Sequence, residues 1–427
     1  PPEGIFREQS GRKRTSENRG LGRDSAELKK QQKPRTAPGR DFPGAERTEK
    51  NFREQGGWEG NCGTKIGGKN MDMTLRWYGS KLDSVTLQQI RQIPGVTGVI
   101  SALHEIPAGE PWQEADVMAL KKEVEAAGLK LLGIESINVH EDIKLGSPNR
   151  DELIENYITS LESVGKADIH LVCYNFMPIF DWTRTDLAFP LPDGSNALAY
   201  DKKVIEGIRP EDMFERIESA SGGFILPGWE PNRKDEIKEL FEKYKGMTAE
   251  RLLENYKYFL DAIMPTCEKY KIKMAVHPDD PAWNVFGLPR IVTSEESLLK
   301  IAGLNESIYN GFTLCTGSLG SNLENDLPKI IRNEKIAPRI HFAHVRNIKY
   351  ENENFFHESS HLSSDGNFDM YEIMKAFHDI GFDGVLRPDH GRMIWDEQAR
   401  PGYGLYDRAL GVAYLNGLWE AVNKAGC

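Results

Sequence analysis

The chain has 427 residues, a formal net charge of −11 and 28% charged residues, enough for one large domain or two to three ordinary ones. No run approaches the roughly 18 apolar residues of a transmembrane helix, and residues 1–30 hold no apolar core of signal-peptide length. Five scattered cysteines (Cys62, Cys173, Cys267, Cys315 and Cys427) with no CxxC pair argue against a disulfide framework and for a reducing cytosol.

Residues 1–70 differ from the rest. They carry 16 Lys+Arg against 10 Asp+Glu, net +6, which leaves 38 against 55, net −17, for residues 71–427. They hold only seven Ile, Leu, Val and Phe but 12 Gly, too little apolar surface to offset the chain entropy of folding, so disorder is expected. The basic residues are interrupted by acids, and the acidic body argues against nucleic acid as a partner. Lys65-Ile66-Gly67-Gly68-Lys69-Asn70 reads as a translated leader, with Met71 as the natural start.

From Thr74 onward, short apolar runs alternate with amphipathic ones. Leu75–Tyr78, Val96–Ser101, Leu129–Glu135, Ile169–Phe176, Lys273–His277, Gly311–Thr316, Ile340–Val345 and Gly384–Arg387 are rich in Val, Ile and Leu without polar alternation. That is the pattern of strands buried on both faces of a parallel sheet. Helix signals cover Glu114–Ala127, Arg150–Val164, Lys238–Tyr270, Glu295–Ala302, Asp369–Phe377 and Leu405–Asn423. Eight repeats over about 350 residues predict an α/β fold, a (β/α)8 TIM barrel forming one domain over 71–427. The excess length falls at 178–235, where prolines, glycines and aromatics such as Phe180, Trp182, Phe189, Tyr200, Phe224 and Trp229 follow strand four. That stretch is expected to form an inserted cap over the C-terminal face, or alternatively a surface insertion or dimer contact.

The chemistry is distributed over consecutive strands. His277, Cys315, His344 and Asp389 end strands five, six, seven and eight, where barrel enzymes carry their catalytic residues. Two imidazoles, a thiolate and a carboxylate converging on one face make a divalent-metal site. Taken singly, Cys315 reads as a small core residue and Asp389 as a helix cap; it is the set of four that favours metal. By strand parity, His344 and Arg346 share a face while His341 points into the helical layer.

His357-Glu358-Ser359-Ser360-His361 matches H-E-x-x-H. A zinc protease needs that motif on a helix, and the surrounding Asn, Ser and Gly have loop composition. A polyhydroxy substrate touched by His361 or Ser364 is the preferred reading.

Several motifs together resemble mannonate dehydratase. They are Met73-Thr74-Leu75-Arg76-Trp77-Tyr78-Gly79, Arg91-Gln92-Ile93-Pro94-Gly95-Val96, His277-Pro278-Asp279-Asp280-Pro281, the Cys315 strand, His344-Val345-Arg346-Asn347 and Arg387-Pro388-Asp389-His390-Gly391-Arg392. The similarity runs through residues 71–427. It implies a xylose-isomerase-like barrel, dehydration of D-mannonate to 2-keto-3-deoxy-D-gluconate in hexuronate breakdown, and a cytoplasmic homodimer with no membrane association. It also implies one Mn2+ or Fe2+ per chain, although a thiolate ligand by itself places Zn2+ or Fe2+ ahead of Mn2+.

Such a reaction removes the C2 proton beside a carboxylate and expels hydroxide from C3, so it needs a Lewis acid and an acid/base pair. His390, next to Asp389, and Tyr403, between two glycines, are the expected pair. Arg346, with Arg392 next, is expected to bind the substrate carboxylate, while Asn347, Asn175 and Trp182 meet hydroxyls or cover the sugar. Asp279 and Asp280 are expected to orient the metal ligands. An aldose–ketose isomerase would favour carboxylates over Cys315, and a non-catalytic sensor would not need His390 beside the full ligand set.

Overall fold

In the computed structural model the described residues are 71–220 and 234–425. The disorder expected of residues 1–70 lies outside them, as does 221–233 of the expected cap. Eight apolar runs form the parallel strands β1 (Asp72–Arg76), β2 (Val96–Ser101), β3 (Lys130–Glu135), β4 (Leu171–Tyr174), β7 (Lys273–Val276), β8 (Asn310–Cys315), β9 (Ile340–Val345) and β12 (Val385–Pro388). They close into a barrel in that order, with β12 pairing back onto β1.

Side chains alternate between two cores, as the two-residue period of a strand requires. Val99, Ile134, Leu314 and Leu386 pack outward against the helices. Ile100, Leu171, Cys173, Ala275 and Phe342 fill the barrel. Register then aligns the ends of the strands: Cys315 stands opposite His344, and His344 opposite Arg387. Glu135 stands opposite Cys173 in the same manner. Cys315, His344, Arg387 and Glu135 project polar groups into the C-terminal mouth.

Two expectations are corrected. The helix expected over Lys238–Tyr270 is two helices, Lys234–Tyr244 and Ala249–Tyr270. Gly246 has φ +79°, a left-handed turn that ends the first, and Thr248 caps the second by accepting from the Arg251 amide.

The cap, secondly, is drawn from two places. Strands β5 (Asp186–Pro190) and β6 (Asn196–Asp201) come from the stretch after β4. β10 (Ile348–Asn352) and β11 (Phe355–Glu358) come from the stretch after β9, which the composition reads as loop. Together they form one antiparallel sheet ordered β10-β11-β6-β5. Its apolar cluster joins Leu187, Leu198, Tyr200, Ile348 and Phe356, with Phe356 stacked on Tyr200. The hairpin's own sequence is too short and polar to announce itself; pairing with β6 decides its state. His357 and Glu358 therefore lie in a strand, and no helical H-E-x-x-H forms.

Candidate metal centre and active site

The four expected ligands come together. His277, Cys315, His344 and Asp389 each offer a donor atom, and these atoms all lie within 4.8 Å of one another. His277 Nε2 is 3.1 Å from His344 Nδ1, and Cys315 Sγ is 3.5 Å from Asp389 Oδ2. His277 Nδ1 lies 2.7 Å from the Pro278 carbonyl, which can only accept, so the proton sits there and Nε2 keeps its lone pair. Cys315 Sγ receives the Ser318 hydroxyl at 3.1 Å. Glu135 Oε2 is buried without a hydrogen-bond partner, 3.6 Å from His344 Nε2. Arg387 Nε donates to that same Nε2 at 3.1 Å, so the nitrogen acts as an acceptor and offers Glu135 no N–H. The donor set of two imidazoles, a cysteine sulfur and a carboxylate fits one divalent cation of borderline softness.

Beside the cluster, His390 Nε2 is 3.0 Å from the Tyr403 hydroxyl and His390 Nδ1 is 3.2 Å from Glu358 Oε1. Both His390 and Tyr403 line a cavity of about 60 Å³ that His277, Asp389, Asn175 and Trp182 also line. Trp182 stands edge-on to His390. Burial, with Tyr78 close by, pushes the Tyr403 phenol well above its ordinary range, so it stays protonated at neutral pH.

Four buried guanidiniums neutralise the carboxylates around this cavity. Arg387 and Arg76 hold Glu135; Arg346 and Arg184 hold Asp280 and Glu358; Arg346 Nε also donates to Asp389 at 2.7 Å. Burial alone would raise Asp389 and Glu135. His390, Arg387, His344 and Arg346 nonetheless hold Asp389 well below the carboxylate range, and Arg387 and Arg76 do the same for Glu135.

A sequence model of the D-mannonate dehydratase (UxuA) family matches residues 71–426. The mannonate dehydratase of Brachyspira hyodysenteriae is 62% identical over 356 residues, 83% of this chain and all of that protein. The Thermotoga neapolitana mannonate dehydratase is 56% identical over 354 residues, 83% of this chain and 98% of its own. The crystal structure of mannonate dehydratase from Streptococcus suis serotype 2 superposes with a TM-score of 0.76 at 46% identity, covering 84% and 96% of the two chains. This chain belongs to the mannonate dehydratase family.

Not every residue expected at the site reaches the cavity. Arg346 is fully buried, and its guanidinium is taken up by Asp280, Glu358, Asp389 and Ser318. Gly317 makes room for it, since a Cβ there would lie 2.2 Å from Arg346 Cζ. Its expected contact with a substrate carboxylate is therefore not met. Asn347 instead pins the following loop, giving its amide to the Leu362 carbonyl and receiving the Phe368 amide. His361 lies buried beneath Gly411 of the C-terminal helix, and Arg392 ties Asp193 of the β5–β6 turn to Asp407. Asp279 receives the amides of Ile291 and Val292 and braces their loop. Asp280, by contrast, does line the cavity.

The cations that line it are Arg76 and Arg387. Arg387 Nη1 and Arg76 Nε are buried without hydrogen-bond partners. Glu135, Arg76 and Arg387 all stand near C-terminal strand ends, the same signal that marked Cys315; Glu358 carries no such mark, being on the cap sheet.

Proposed function

We propose that this chain dehydrates D-mannonate to 2-keto-3-deoxy-D-gluconate and water, with one divalent cation, Mn2+ or Fe2+, held by His277, Cys315, His344 and Asp389. The observation that carries the reading is the four-donor cluster, two of whose members, His277 and Asp389, line the same small cavity as the hydrogen-bonded His390–Tyr403 pair. The cation, when bound, supplies Lewis-acid stabilisation of negative charge that develops on substrate oxygens.

The chain's own residues do the rest. Glu358, kept ionised by Arg346 and Arg184 against the pull of burial, can only accept a hydrogen bond. His390 therefore donates through Nδ1 and presents Nε2 to Tyr403. The two groups share one proton across 3.0 Å, so one removes the C2 proton while the other protonates the departing C3 hydroxyl. Arg387 Nη1 and Arg76 Nε are the free donors for the substrate carboxylate. Asn175 and Trp182 line the cavity where the sugar's hydroxyls and upper face would lie, and Arg346 acts by fixing Asp389 and Glu358.

The same reading includes one capped barrel domain over 71–427, a homodimer and a cytoplasmic site of action. Exposed Trp395, Tyr406 and Leu410 supply an apolar patch for self-association, and buried free Cys173, Cys267 and Cys315 suit a reducing compartment. No described helix is long and apolar enough to cross a membrane. The test is product identity: D-mannonate should yield a 2-keto acid lighter by one water in mass spectrometry. An isomer of unchanged mass would support the isomerase class instead.

A further inference from the structure

A six-carbon acid does not fit the metal cavity. About 60 Å³ is the space of roughly two waters. A second chamber of about 340 Å³ lies over the C-terminal ends of β1, β2 and β3, and shares Arg76, Tyr78 and Ser136 with the first. Its volume falls in the range of ligand pockets. Leu103, Trp112 and Tyr157 give it apolar walls.

Tyr78 and Tyr157 each leave a buried hydroxyl without a hydrogen-bond partner there, and one imidazole nitrogen is likewise unpaired. The Nε2 of His104 is shielded from solvent and has no hydrogen-bond partner. The ring sits 5.0 Å from that of Tyr78, at the junction of the two chambers, and is engaged by the Trp77 backbone.

We infer that this chamber is the subsite for the C4–C6 polyhydroxyl tail of the aldonic acid, and that His104 sets chain-length specificity by accepting a hydroxyl there. The direction follows from the chemistry. C1 is bonded to the reacting C2, so the carboxylate stays beside the cluster with Arg387 and Arg76; only the tail is free to leave the small cavity. The acceptor also matches. Burial, with Arg76 and Arg400 adding to it, pushes the His104 pKa down to about 3, so the ring is neutral. With one nitrogen committed to the backbone, Nε2 offers a lone pair, which suits an O–H and not a carboxylate. An O–H placed there would satisfy a buried acceptor, and an analogue lacking it would leave that acceptor unpaired.

This assignment rests on the dehydratase reading for its substrate, and the test separates the two. Kcat/KM is measured for D-mannonate and for the four-carbon aldonic acid of the same C2 and C3 configuration, with wild type, His104→Phe and Leu103→Trp, at equal metal content. The ratio of six- to four-carbon kcat/KM is expected to fall about tenfold in His104→Phe and further in Leu103→Trp, which narrows the chamber. An unchanged ratio, through loss on both acids alike or on neither, overturns the subsite. If wild type forms no 2-keto product from either acid, the dehydratase reading falls. Calorimetric binding of the two acids to the same proteins then decides the chamber: a six-carbon preference that survives in both variants overturns it.

Discussion

Glu358 Oε1, at the last position of β11, receives Nδ1 of His390 at 3.2 Å. The cap sheet thereby reaches into the barrel and fixes which nitrogen of His390 faces Tyr403. Glu358 is in turn held by Arg346, whose Nε donates to Asp389. One buried chain of ion pairs thus connects the acid/base pair to the metal cluster. Replacing Glu358 by Gln keeps the shape and removes the charge that selects the tautomer. Kcat is expected to fall about a hundredfold with little change in KM, and His390→Asn to fall at least as far. Steady-state kinetics on both variants checks this, and a Glu358→Gln enzyme with wild-type kcat contradicts it.

Arg346 is expected to matter for folding more than for substrate capture. Arg346→Met leaves Glu358, Asp280 and Asp389 short of a buried counter-charge, a loss of about 3–5 kcal/mol. Urea titration should show the unfolding free energy falling by that amount, with a lower midpoint. A normal midpoint with a raised KM would restore Arg346 as the carboxylate binder.

Much of this site was legible because barrels put function at strand ends. His277, Cys315, His344 and Asp389 needed only strand positions and parity, and the structure brings their donor atoms within 4.8 Å. Parity also placed His341 correctly, outside the barrel near the Ile308 carbonyl. Arg346 misled because parity gives a side chain's direction and not its competitors: two acids on other elements, Asp280 and Glu358, claim the guanidinium first. Glu358 was hidden for a different reason. Its strand pairs with β10 in a short polar hairpin and joins the cap sheet through β6, about 150 residues earlier, and no local pattern encodes a contact at that separation.

His341 supplies a pH signature of stability remote from the cavity. Burial, with Lys273 adding to it, pushes its pKa from 6.5 down to about 3. Below pH 6.5 the unfolded chain binds a proton that the folded ring refuses. The stability conferred by the neutral ring is therefore complete above 6.5 and is lost as pH falls toward 3, by about 1.4 kcal/mol per unit. His341→Gln should remove this term. Its urea midpoint should change less than that of wild type between pH 7 and pH 5; parallel curves would contradict the assignment.

Cys315→Ala tests the thiolate. The side chain is small and buried, and its Sγ is one of the four clustered donors. Metal per chain, measured by plasma emission after dialysis, should fall well below the wild-type value while circular dichroism is retained. Unchanged stoichiometry would remove Cys315 from the ligand set and leave three donors.

The central claim is that one divalent cation at this cluster works beside His390 and Tyr403 on a sugar acid. The most direct measurement is the rate of 2-keto acid formation from D-mannonate by the purified chain, stripped with chelator and then titrated with Mn2+ or Fe2+. The account predicts no product from the stripped protein and activity that rises with added metal to a plateau at one ion per chain. Undiminished product formation by the stripped protein, or no product at any metal occupancy, would contradict it.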